Sequence, residues 1–153
     1  AYRDGIRDAK PVGKMVHDKV SISTLAICAE TRQKAQERGA EIIDWYRHQQ
    51  SLRDVRVGQE QDPTNVPDDY QWHYQRSAAT ETAKRDETSS LDLIKEGRYC
   101  IGDPDDCLRF LERYVPTGVD EIMPLFQIGP MTNGEVTETL RLFGKHVIPH
   151  LEN

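Results

Sequence analysis

The sequence predicts an α/β fold in which three strand–helix units follow one another with their strands parallel. Three observations carry this. Short runs rich in β-branched and apolar residues, at 19–29, 98–101 and 119–126, alternate with stretches of helical period at 31–49, 104–116 and 133–148. Each helical stretch follows a residue type that caps helices: Thr31, Asp103 and Thr132. Each strand leads into a helix rather than a tight hairpin turn, which implies parallel pairing through right-handed crossovers.

Taken in order, residues 1–10 fit the end of a helix stopped by Pro11, and Pro11-Val12-Gly13 is a turn. The run KVSISTLAICA reads as a strand buried on both faces. The next helix carries Ala35, Ile42, Ile43 and Tyr46 on one face. Residues 50–90 lose the period. They hold Asp62-Pro63, Val66-Pro67 and a polar run, which predicts a long irregular loop, either a functional lid or disordered. Residues 91–96 fit one short helix. After the second strand, Asp103 caps a helix with Pro104 at its first position and Asp105 and Asp106 in its first turn. Cys107, Leu108, Leu111, Tyr114 and Val115 are its expected buried face, and Gly118 closes it. Pro124 falls inside the third strand, so that strand is either bulged or at an edge. Thr132-Asn-Gly-Glu135 is a capping box, and Val136, Leu140, Phe143 and Val147 are the expected buried face of the last helix.

Composition narrows function. The chain has 153 residues, one domain by length, with net charge −6 and 30% charged residues. The mean hydropathy is −0.72. Its acids are dispersed and no basic stripe exists, which argues against nucleic acid. No apolar run suits a membrane span, and no signal-peptide pattern is seen. Three cysteines, Cys28, Cys100 and Cys107, lie within apolar patterns. That odd count predicts reduced thiols in a cytoplasmic protein. The histidines show no metal-type pairing: His146 and His150 have i, i+4 spacing, but Pro149 intervenes.

The segment Gly102-Asp103-Pro104-Asp105-Asp106-Cys107, then Thr117-Gly118-Val119-Asp120, Leu142-Phe143-Gly144-Lys145 and Val147-Ile148-Pro149-His150, resembles the C-terminal end of the luciferase-like flavin-dependent monooxygenases. Residues 2–6 and 11–18 also resemble the family's region ahead of its sixth strand, with His17 where relatives often have Asn. The family fold is a (β/α)8 TIM barrel, which needs about 250 residues. The resemblance therefore implies a partial barrel over residues 1–153. It would hold the C-terminal three βα units plus a lid-like loop, completed by a missing N-terminal part or a second subunit. Ala1 is not Met, and Tyr2, Ile6 and Ala9 look like the tail of an earlier helix, which agrees with such a piece.

What the resemblance implies about chemistry is specific. The family uses reduced flavin, usually FMN supplied by a flavin reductase and in some members a deazaflavin, with O2 to oxidise a small organic substrate. Parallel α/β barrels place chemistry at the carboxyl ends of strands. The candidate cofactor-binding residues are therefore Gln127, Gly129 and Met131, Gln127 being an amide that can both donate and accept. The competing reading of Gln127 is a loop-start residue bonded to backbone. The Gly102–Asp106 turn is read as structural capping, since its carboxylates would repel a phosphate. The family's phosphate ligands lie on earlier strands, so no catalytic residue is assigned. Tyr70, Trp72, His73, Tyr74 and Arg76 occupy the place of a mobile loop that closes over the flavin in the family, and are the candidate lid residues. The alternative function is a non-catalytic luciferase-like subunit or assembly module.

Overall fold

The computed structural model describes residues 2–60, 67–72, 75 and 88–151. The elements are α1 (Tyr2–Arg7), β1 (Ser21–Cys28), α2 (Arg32–Glu60), a 3-10 turn at Asp68–Tyr70, α3 (Ser90–Lys95), β2 (Cys100–Gly102), α4 (Pro104–Glu112), a 3-10 turn at Val115–Thr117, β3 (Glu121–Leu125), α5 (Asn133–His146) and α6 (Ile148–Leu151).

All strand pairs are parallel, as expected, but their order is β2-β1-β3. The carboxyl half of β1 pairs β2, with Ala26 opposite Cys100 and Cys28 opposite Gly102. Its amino half pairs β3, with Ser21 opposite Glu121 and Leu25 opposite Leu125. Successive barrel units would lie in consecutive order with every helix outside. Here the sheet is open, and the chain crosses β1 to reach its far side. The structure thus shows the α/β class with three parallel strands in an open sheet, not closed into a barrel. β3 is an edge strand, and that is how Pro124 is tolerated.

The alternation of β1 explains the two layers of core. Leu25 and Ile27 point to one face and pack with Ala35, Ile42 and Ile43 of α2 and Ile94 of α3. Ala26 and Cys28 point to the other face and pack with Cys107, Phe110 and Leu111 of α4 and Leu142 and Phe143 of α5. A strand covered on both sides needs apolar residues in succession, which is why KVSISTLAICA shows no alternation of polarity at its carboxyl half.

Three local expectations change. Residues 50–60 are not irregular but continue α2 to Glu60. Arg, Gln, Leu and Glu are good helix formers, so a helix continues there without an apolar stripe in the sequence. The remainder of the expected loop, with His73, Tyr74 and Arg76, lies outside the described residues. On α4 the buried positions are Cys107, Phe110 and Leu111, whereas Val115 is exposed. The helix stops at Glu112, and the following 3-10 turn with Pro116 swings Val115 outward. On α5 the buried positions are Thr139, Leu142 and Phe143, and Leu140 faces solvent.

Candidate functional site

The carboxyl ends of the three strands meet the amino ends of α2, α4 and α5. Each of these helix starts is closed by the chain itself. The Thr31 hydroxyl accepts from the Lys34 amide at 3.3 Å. Asp103 accepts from the Asp106 amide at 2.9 Å, and Asp106 accepts from the Asp103 amide at 3.3 Å. Thr132 and Glu135 form the same reciprocal box on α5. A cap side chain thus takes one first-turn amide of each helix, in line with the capping reading of the Gly102–Asp106 turn.

The first two turns of α2 are cationic, against the helix dipole, and the first turns of α4 and α5 are acidic. The fold pairs them. Arg32 grips Asp106 with Nε at 2.7 Å and Nη2 at 2.6 Å. Lys34 reaches Glu138 at 3.0 Å. Arg38 bonds Glu135 at 2.5 Å, Glu41 at 2.6 Å and the Pro130 carbonyl at 3.2 Å. The hydrogen bond from Arg38 and those from the Thr132 backbone and hydroxyl hold Glu135 down to about 2. Burial pushes Asp106 up, but hydrogen bonds from Arg32 and Arg109 outweigh it and keep its carboxyl below the ordinary range. α2 therefore ties both other helices to the sheet by charge. The cations were legible in the sequence, and their position at a helix start was the one signal that they had partners elsewhere.

Two buried polar groups complete the frame. Thr139 donates to the Cys28 carbonyl at 3.1 Å and accepts from the Cys28 amide at 3.2 Å. β3 ends before it can pair Cys28, so a side chain of α5 replaces the missing strand neighbour. Ser90 donates to Asp44 at 2.5 Å and accepts from Arg47 at 3.3 Å, which fastens α3 to α2. The three cysteines are free and buried. Hydrogen bonding with Cys107 and burial push the Cys28 thiol up, and Cys100 and burial do the same to Cys107, so both stay protonated and inert.

The candidate residues fall in different environments. Gln127 is exposed just past β3. Gly129 has φ +46, and a Cβ there would meet the Trp45 ring at 2.2 Å, so the glycine is required by Trp45 lying against its backbone. Met131 is buried in the core beneath α2 and lines a small cavity rather than an open surface. Tyr70 and Trp72, each 60% exposed, belong to neither core cluster. The structure thus leaves Gln127 open at the strand end, gives Gly129 a packing role, and takes Met131 into the core. Sequence reasoning missed Trp45, the exposed aromatic that covers this loop.

An open cleft of about 550 Å³ lies on the opposite side of the same sheet end. Glu30, Asp103 and Asp105 line it from the strand ends, and Arg141, Lys145, His146 and His150 from α5 and α6. Such a mixed-sign cleft suits a polar ligand. Among the described residues, no three His, Cys, Asp or Glu side chains converge as a metal site. Among them, too, no helix is long and apolar enough to cross a membrane.

Fold and site define a small parallel α/β unit with a ring of paired charges at the carboxyl ends of its strands. No protein-family model and no curated protein matches the chain. Among solved structures it is similar to the monooxygenase RslO1 from Streptomyces bottropensis, with a TM-score of 0.55 at 20% identity. That match covers 98% of this chain and 36% of the other. At this identity the likeness is one of fold.

Proposed function

We propose that this chain contributes one part of a flavin-dependent monooxygenase of the luciferase-like type, which oxidises a small organic substrate with O2. The observation that carries this is the likeness of nearly the whole chain to part of a monooxygenase chain, together with the Gly102–Cys107 and Val147–His150 segments. Reduced FMN, or a deazaflavin, would be supplied by a reductase and would bring the oxygen chemistry. The described residues do not form a complete flavin site: the helix starts are capped, and Met131 is in the core. Gln127 remains as the residue able to bond a flavin edge, with Tyr70, Trp72, His73, Tyr74 and Arg76 closing from the loop. The phosphate would be held by the complement, an N-terminal part or a second subunit.

The non-catalytic assembly-module reading is favoured by one observation, the exposed Met123 and Leu125 on open β3. Anaerobic titration of reduced FMN separates the two. The expected result is no saturable binding by the chain alone and a flavin difference spectrum once the complement is added. Gln127→Ala should weaken the complemented protein by about tenfold, the worth of one hydrogen bond. No flavin signal from the complemented protein overturns the enzyme reading.

A further inference from the structure

A second concave surface runs along the open edge of β2, up to the carboxyl-end pair of Arg32 and Asp106. It is a groove of about 420 Å³ between α2, α3 and α4, within the size range of small-molecule sites. Its floor is apolar: Ile94, Tyr99, Ile101 and Phe110. Its rim carries four cations, Arg32, Lys95, Arg109 and Arg113, against one carboxylate, Asp106. On a chain of net charge −6 this is a local reversal of sign.

The cations are not equivalent. Arg32 and Arg109 share Asp106, which satisfies one charge between them. Arg113 has no carboxylate among the described residues. Its Nη2 donates to the Gly97 carbonyl at 2.7 Å, and its guanidinium stands 4.6 Å from the Phe110 ring centroid. Lys95 likewise has no carboxylate partner among the described residues. The guanidiniums are held in place before any ligand arrives, Arg32 by two hydrogen bonds and Arg113 by the Gly97 and Phe110 carbonyls and a ring. Gly97, at φ +71, leaves Arg113 its position: a Cβ there would lie 3.0 Å from Nη1.

We propose that this groove binds a small oxyanion carried on an apolar body, the oxyanion met by Arg113 and Lys95 and the body by Tyr99, Phe110 and Ile94. The oxyanion is a carboxylate or a phosphate monoester, since a planar guanidinium fork suits either. An apolar floor with surplus, preorganised cations discriminates for both halves of such a molecule at once. The groove shares Arg32 and Asp106 with the carboxyl-end charges but opens beside β2, and it does not depend on the monooxygenase reading.

Calorimetric titration with phenyl phosphate and benzoate tests it, with inorganic phosphate and benzyl alcohol as the two half-ligands. The expected result is one-to-one binding of phenyl phosphate or benzoate at least tenfold tighter than either half-ligand, weakening as salt rises. The stronger of the two probes identifies the oxyanion. Arg113→Ala and Lys95→Ala should each lose tenfold or more while a cooperative thermal transition is retained. Arg113→Lys, which keeps charge but loses the fork, should recover only part of the affinity. Arg141→Ala, in the other cleft, should bind as the parent does. Equal affinity for inorganic phosphate and phenyl phosphate, insensitivity to Arg113→Ala, or no saturation at millimolar probe overturns the proposal.

Discussion

The two faces of the sheet are covered to different extents, and the difference lies at β3. On the face of α4 and α5, Ile122 and Phe126 pack into the core, and Phe126 meets Phe143 edge-on at 4.9 Å. On the face of α2, Met123 is 52% exposed and Leu125 47% exposed. One strand is thus a core element on one side and a surface on the other. The reason is geometric: α2 joins β1 to the neighbouring β2 and spans only those two strands. α4 must pass from β2 over β1 to β3, and α5 then folds back against β1 and closes that face.

The sharpest way to break this comparison is truncation on each face. Phe143→Ala should cost about 3–5 kcal/mol, a cavity beneath two helices, whereas Leu125→Ala should stay within about 0.5 kcal/mol. Urea unfolding midpoints measure both. Equal losses would mean that β3 is covered on its α2 side after all. Next in size is Thr139→Val, which keeps shape and leaves the Cys28 amide and carbonyl unpaired in the interior. A loss of about 1–3 kcal/mol is expected, with faster hydrogen exchange at Cys28. No change would show that water reaches the end of β1.

The smallest effect concerns charge. Glu135 is held down to about 2 in the folded protein, while a free glutamate ionises near ~4.3. Because the folded value is the lower one, its contribution is fully present above the free value. It is lost as pH falls from there toward 2. Glu135→Gln should lower stability at neutral pH by about 1 kcal/mol. It should also flatten the part of the acid unfolding curve between those two values. An unchanged acid limb would show that the pair with Arg38 does not bind α5 to α2.

What was legible in the residues was local. Asp103 with Pro104, and Thr132 with Glu135, are caps in the structure because the hydrogen bonds that define them span only three residues. The parallel direction followed from a helix after every strand. The limits of α2 were less legible, since its second half is polar and periodicity reports burial alone. Leu140 was read into the buried stripe of α5, where Thr139 and Leu142 lie instead, because Leu140 and Leu142 are equally apolar and only the position of β1 decides between them. At the candidate site the loop after β3 was found, but Trp45, some eighty residues earlier, was not, since nothing local links an aromatic on α2 to Gly129.

The sequence by itself determined where the three strands lie, where three helices begin, and that both faces of the carboxyl half of β1 are apolar. These depend on neighbours along the chain. Only the tertiary structure decided that β3 lies beside β1 rather than beside β2, that Thr139 stands in for a strand, and that Met131 is core while Gln127 is open. Strand order is chosen by which apolar faces meet and which helix charges pair, and each of those pairings joins residues about 70 to 110 apart. A pattern with a period of two or four residues carries no information about them.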